Sequence, residues 1–179
     1  MIRDPDLKKI KIRKFLPEDL KKAREFQKFI NSLIEEEAMI LLKKKKSLKE
    51  EKEWLKEKLK NVKNKKQATL IAKDNNKIVG IANVRLKKDR QSHVGEFGIL
   101  IRKGYRGIGL GKKLMAEVLK LAKKELTPKP KIIRLSVFDE NKIAQNLYRK
   151  FNFRRVAKIP KQIEYKRKLT DEIIMIKEL

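Results

Sequence analysis

The chain contains no cysteine, which excludes disulfides, thiolate metal sites and a cysteine nucleophile. A single histidine, His93, leaves little basis for a His-built metal centre or a Ser-His triad, and it reads as a surface residue. No stretch approaches 18 apolar residues, so no membrane-spanning helix is expected. The opening Met1-Ile2-Arg3-Asp4 lacks the apolar core of a secretory signal, and the expected location is the cytoplasm. Aromatic residues make up only 6% of the chain, which gives base stacking little support. Internal repeats and Gly/Ser linkers are also missing, so residues 1–179 read as one domain. Acidic residues are the scarce charge: 23 Asp plus Glu stand against 50 Lys plus Arg, a net +27.

That charge makes a strong positive field, suited to anions, nucleic acid or ribosomal surfaces. A composition rich in Lys and Glu and free of Cys also fits a thermophile. Hydrophobic residues still reach 40%, enough for a sizeable core.

Ile10 to Phe15 alternates apolar and basic residues, as a first strand does. Leu16-Pro17-Glu18-Asp19 opens a helix whose apolar period runs through Leu20, Ala23, Phe26, Ile30 and Leu33 to about Leu42. After the charged connection Lys43–Lys46, Ser47-Leu48-Lys49-Glu50 matches a capping box. The helix it starts reaches about Asn61, with Trp54, Leu55 and Leu59 on its apolar face. Residues 67–73 and 77–86 read as strands joined by Asp74-Asn75-Asn76. A polar loop over 87–92 leads to a strand over 94–101, and Thr127-Pro128-Lys129-Pro130 ends a long helix. A strand over 131–138, a helix over 141–151 and two closing strands follow. Residues 159–170 read either as a loop or as part of a basic hairpin.

The sharpest motif is Arg106-Gly107-Ile108-Gly109-Leu110-Gly111, set between an apolar strand and an amphipathic helix over about 109–126. The first N–H groups of a helix lack intrahelical partners and carry the positive end of its dipole. Glycines remove the Cβ atoms that keep a bulky anion away from them. A P-loop does not fit, because Lys113 stands where a hydroxyl is needed and Arg106 where the first Gly belongs. A Rossmann fingerprint fails as well, since the order is Gly-x-Gly-x-Gly. The alternative to a phosphate cradle is a tight turn shaped by Gly107, Gly109 and Gly111.

Arg-x-x-Gly-x-Gly resembles the acetyl-CoA-binding motif of the Gcn5-related N-acetyltransferases (GNAT). A second segment supports the resemblance: Leu135-Ser136-Val137 ends an apolar run and leads to Asn141, Ala144, Leu147-Tyr148, Lys150 and Phe153. The separation of about 35 residues suits the family. Asn152 stands where Gly is usual, and Asn tolerates a left-handed backbone. The resemblance runs from about Ile10 to Ile176. It implies a mixed α/β fold with a mostly antiparallel central sheet flanked by helices. It also implies an acetyl-CoA-dependent N-acetyltransferase acting by direct transfer.

The resemblance further assigns roles. The pantetheine arm would run along Ile99-Leu100-Ile101, provided that strand splays from its neighbour and leaves its backbone groups free. A backbone N–H near Leu100 would hold the oxyanion. Pyrophosphate would sit on the N–H groups of Arg106, Gly107, Ile108, Gly109, Leu110, Gly111 and Lys112. Asn141 would contact the cofactor, cap its helix, or do both. Tyr148 reads as general acid for the departing sulfur or as a core tyrosine. Glu96 reads as the base or as a salt-bridged carboxylate. Trp54 reads as core or as acceptor pocket, and Glu35, Glu36 and Glu37 as a charged helix face or a lure for a cationic acceptor.

The acceptor the resemblance implies is a primary amine: a protein N-terminus, a Lys side chain, a polyamine or another small amine. The +27 charge disfavours a polycation and leans toward a basic, anion-associated protein substrate. Weak association with nucleic acid or the ribosome, and a homodimer, stay open. The rival reading is a non-catalytic nucleic-acid- or ribosome-binding module using Lys43–Lys46, Lys63–Lys66 and residues 158–168.

Overall fold

Two-residue alternation along the strands sorts the apolar side chains onto two faces of one sheet, each covered by its own helices. The computed structural model describes residues 6–179, so Met1 to Asp4, read above for a signal segment, lie outside the described residues. The strands are β1 (Lys11–Lys14), β2 (Gln67–Asp74), β3 (Lys77–Leu86), β4 (Val94–Ile101), β5 (Ile132–Phe138), β6 (Arg154–Tyr165) and β7 (Lys168–Glu178). The helices are α1 (Ala23–Glu35), α2 (Leu48–Lys63), α3 (Leu110–Glu125) and α4 (Lys142–Lys150). Sheet order is β1-β2-β3-β4-β5-β7-β6, antiparallel throughout except for β4 beside β5. This is the mixed, mostly antiparallel architecture the sequence implies.

On one face Leu70, Val84, Phe97 and Leu135 pack against Leu114 and Val118 of α3. On the other, Ile71, Ile78 and Ile81 meet Phe26, Phe29 and Leu33 of α1 and Leu55 and Leu59 of α2. The capping box before α2 is present: Ser47 accepts from the Glu50 N–H, and Glu50 accepts from the Ser47 N–H.

Two boundaries differ from the sequence reading, and one open alternative is decided for the hairpin. The first helix stops at Glu35 instead of about Leu42, and Glu37 has φ 50°. Glu35, Glu36 and Glu37 place three carboxylates at the negative end of the dipole, with no basic residue in the last turn. The residues from Pro17 to Lys22 form a 3-10 turn ahead of α1. Residues 159–170 belong to a β6–β7 hairpin, whose two turn residues, Lys166 and Arg167, have φ 48° and 62°.

One irregularity positions everything that follows. β4 and β5 pair over only Val94↔Ile132, Gly95↔Ile133 and Glu96↔Arg134. Both strands then continue without pairing to each other, β4 remaining bonded to β3 and β5 to β7. Gly95 permits the close approach at the apex: a Cβ there would lie 2.7 Å from Val84 Cγ1 and 2.9 Å from Ile133 Cδ1. Just past the apex, Phe97 stacks edge-on against Tyr148 at 6.0 Å, with Phe153 against both.

Candidate functional site

The wedge between β4 and β5 opens into a cavity of about 1040 Å³. Along its β4 wall lie Phe97, Gly98, Ile99, Leu100 and Ile101, and along its β5 wall Leu135, Ser136, Val137 and Phe138. The facing backbone edges have no strand partner past Glu96. By alternation Ile99 and Ile101 turn their backbone groups to that open edge, whereas those of Leu100 face the ladder with β3, and the Ile101 carbonyl accepts from Arg106. Alternation sends Ile99 and Ile101 toward the α3 core and Leu100 toward the α1–α2 core, so the wedge is an opening through the sheet.

The glycine turn closes one end. Gly107 and Gly109 have φ 83° and 88°, a left-handed geometry that glycine adopts freely. Gly109 is the N-cap of α3, and the first helical bond runs from the Lys113 N–H to the Gly109 carbonyl. The N–H groups of Leu110, Gly111 and Lys112 therefore have no intrahelical partner, and an anion could take them. No atom lies within 4 Å of a Cβ built on Gly107, so that surface is open. Gly111 has a packing reason as well, since a Cβ would meet Ile101 Cδ1 at 3.2 Å and Leu147 Cδ2 at 3.3 Å.

The side chains of the motif divide. Arg106, Gly107, Gly109, Gly111 and Lys112 line the cavity. Leu110 is buried in the core and Ile108 packs against it, so both offer backbone only. The Arg106 guanidinium donates to the Ile101 carbonyl at 2.9 Å and to Glu36. Glu36 thus ties the end of α1 to the turn, while Glu35 pairs with Lys45 and Glu37 with Lys166.

Asn141 caps α4, its Oδ1 accepting from the Ala144 N–H at 3.1 Å, and it also lines the cavity. Helix α4 ends in a Schellman motif. The Phe153 N–H donates to the Tyr148 carbonyl and the Asn152 N–H to the Arg149 carbonyl, with Asn152 at φ 63°. Tyr148 is 7% exposed and lines the cavity, and its hydroxyl makes no hydrogen bond to the described residues without being sealed in the core. Burial pushes its pKa up to about 12, so the phenol keeps its proton at neutral pH.

Glu96 sits at the apex, in the last β4–β5 pair, with an oxygen 3.5 Å from Arg134 Nη1. It shares a face with Leu100, toward α2, whereas Tyr148 with Phe97 lies toward α3 and α4. The two candidate proton-handling groups thus reach the opening from opposite sides of the sheet.

The α2 side holds Trp54, read from the sequence as core or acceptor pocket, and several residues the sequence reading did not single out. Trp54 is 42% exposed and lines the cavity, which corrects its placement on the apolar face of the helix. Lys58 lies with its Nζ 4.2 Å from the centre of the Trp54 ring. Glu57, Asn83 and Arg85 line the same region. Lys58 had a sequence signal: it shares the helical face of Leu55, Leu59 and Val62, an odd place for a lysine. His93 lies off this cavity, its carbonyl accepting from the Lys131 N–H at 2.8 Å. Among the described residues no helix is long and apolar enough to cross a membrane.

The basic runs of the rival reading are interleaved with carboxylates. Lys43 pairs with Glu164, Lys46 with Glu50, and Lys158 with both Asp139 and Asp171.

No curated protein matches the chain. Solved structures do, over nearly its whole length. The acetyltransferase of GNAT family from Streptococcus pneumoniae is 27% identical at a TM-score of 0.83, covering 95% of this chain and 99% of its own. The ribosomal-protein-alanine N-acetyltransferase from Brucella melitensis is 20% identical at a TM-score of 0.80, covering 94% and 99%. A GNAT superfamily phosphinothricin acetyltransferase from Sinorhizobium meliloti, solved in complex with acetyl-CoA, is 13% identical at a TM-score of 0.77, covering 96% and 89%. The latter two share the fold. The family model described as "Acetyltransferase (GNAT) family" matches residues 30–153, more than half of the chain, and the protein belongs to that family.

Proposed function

We propose that this chain acetylates a primary amine with acetyl-CoA, by direct transfer within a complex of protein, cofactor and acceptor. The observation that carries the reading is the stretch of β4 beyond Glu96, without a partner on its β5 side, running to the glycine turn. It supplies a line of free backbone groups ending at free helix N–H groups, which fits an extended, amide-bearing chain with a phosphorylated end. When bound, acetyl-CoA supplies an activated acetyl thioester.

The chain's own residues then divide the work. Along the strand Ile99-Leu100-Ile101, the Ile99 N–H and carbonyl and the Ile101 N–H, which face the open edge, hold the arm in place of a missing strand, while Leu100 borders it with its side chain. The N–H groups of residues 106–112 take the pyrophosphate, helped by the exposed Lys112 ammonium. Arg106 acts through its backbone, its guanidinium being engaged by Ile101 and Glu36. Asn141 borders the cofactor while capping α4. An amine with an ordinary pKa near 10.4 is charged at neutral pH, so a base must take its proton. Glu96 does so on the α2 face, directly or through water. Tyr148, protonated on the α4 face, donates to the leaving sulfur as charge develops there. A single sheet serves both helix layers, which supports reading residues 1–179 as one catalytic domain.

Calorimetric titration with acetyl-CoA at physiological salt tests this, with Gly109→Glu as control. That substitution puts a carboxylate on a left-handed backbone at the start of α3. The expected result is saturable one-to-one binding that the control loses, followed by CoA release with a primary amine. Binding that fades with salt equally in both proteins would sink the assignment.

A further inference from the structure

Burying an ammonium is costly unless a carboxylate meets it, and Lys58 is met by none. Its residue is 4% exposed, yet it forms no salt bridge or hydrogen bond with the described residues. No buried side-chain nitrogen there lacks both a partner and an opening, so its Nζ faces the cavity it lines. The charges on the α2 side explain why it is left over. Arg134 pairs with Glu96 at 3.5 Å and Arg85 with Glu57 at 3.9 Å. Three cations line this region or border it against two carboxylates, and Lys58 is the unmatched one. Glu51, two turns earlier on α2, is also buried but lies beyond salt-bridge distance. The Lys58 ammonium itself sits over the Trp54 ring, 4.2 Å from its centre, which fixes it without supplying a formal negative charge.

We propose that Lys58 is the anchor for an acidic group on the acceptor, so that the amine acetylated by this protein carries a carboxylate. This rests on the amine-acetylation reading above and narrows it: free amino acids and similar zwitterions, rather than polyamines or lysine side chains within a protein. The carboxylate fills the one charge vacancy on the α2 face. The amine of the same molecule is then left to reach Glu96 at the wedge. Burial holds the free Lys58 down to about 7, with Arg85 adding repulsion and Glu51 and Glu57 opposing it. An arriving carboxylate favours the charged form, so affinity for such acceptors weakens as pH rises above about 7.

The test uses the chain's only tryptophan, Trp54, as reporter. Its emission is followed while free amino acids, or their carboxamides, are titrated into wild type, Lys58→Met and Lys58→Arg without cofactor. Steady-state acetylation with the same panel is followed by CoA release. The expected result is a saturable emission change with carboxylate forms only, lost in Lys58→Met and kept in Lys58→Arg. KM for the carboxylate acceptor should rise about tenfold or more in Lys58→Met, with kcat nearly unchanged and the carboxamide unaffected. A carboxamide amine is less basic and reacts more readily, so carboxylate preference would not reflect amine reactivity. Equal responses to the two forms, no response to any carboxylate, or a loss of kcat with KM intact would overturn the proposal. Carboxylate binding without turnover of any amine would instead count against the acetyltransfer reading.

Discussion

At the scale of single residues, Tyr148 combines two properties that usually exclude each other. It is packed between Phe97 and Phe153, and its hydroxyl still opens to the cavity. Removing only that oxygen keeps the packing, so Tyr148→Phe should lower kcat about 100-fold or more with acetyl-CoA affinity retained. Unchanged turnover in a rapid assay would remove Tyr148 from the chemistry. Because burial holds its pKa at about 12, no loss of rate below pH 10 should trace to this phenol. Asn152 is a second informative residue. It completes the Schellman motif at φ 63°, so Asn152→Val should cost about 1–2 kcal/mol of stability by thermal unfolding, and Asn152→Gly almost nothing. Both residues were legible in the sequence because each belongs to a local pattern with fixed spacing. The placing of Lys58 on an apolar helix face was readable too, but its lack of a carboxylate was not, because that depends on where β3 and β4 put Arg85 and Glu96.

At the scale of elements, α2 buries two ionisable side chains, Glu51 and Lys58. Glu51 is pushed up to about 7 by burial, against the pull of Lys58 and Lys46. Lys58 is lowered to about 7, also by burial first. When the chain unfolds, Glu51 regains an ordinary value near 4.5, so its stability penalty grows as pH climbs from about 4.5 to about 7. Lys58 works the other way: its penalty is full below about 7 and fades as pH approaches 10.5. The two overlap near neutrality. Lys58→Met should therefore raise Tm at pH 7, with the gain shrinking toward pH 10, as calorimetric scans across that range would show. A lower Tm at pH 7 would mean that Lys58 has a hidden partner. The start of α2 was readable from its capping box, and the end of α1 was not. An apolar period continues past Glu35, but the carboxylate run at the dipole's negative end stops the helix first. The β4–β5 split entered only as a condition of the family resemblance, since the residues around it have ordinary strand character on both sides and the three-pair register is what reveals it.

At the scale of the whole molecule, the +27 charge acts at a distance, while the wedge acts on contact. Long-range attraction speeds encounter with an anion and is screened by salt. Raising ionic strength should slow acetyl-CoA association much more than it speeds dissociation, as stopped-flow measurements can separate. A change confined to dissociation would deny the field any role. The same charge bears on a different hazard set by the split sheet. Strand edges that lack a neighbour invite any extended peptide to complete the ladder, and most proteins keep such edges short, charged or covered. Here two of them face each other in the middle of the sheet, with apolar side chains around them. A filled wedge has no vacancy to offer. An empty one offers a template for strand addition between molecules, which mutual repulsion between strongly basic copies opposes. The cofactor-free protein should thus be the form that clumps first when salt is raised, and the filled form the one that stays dispersed.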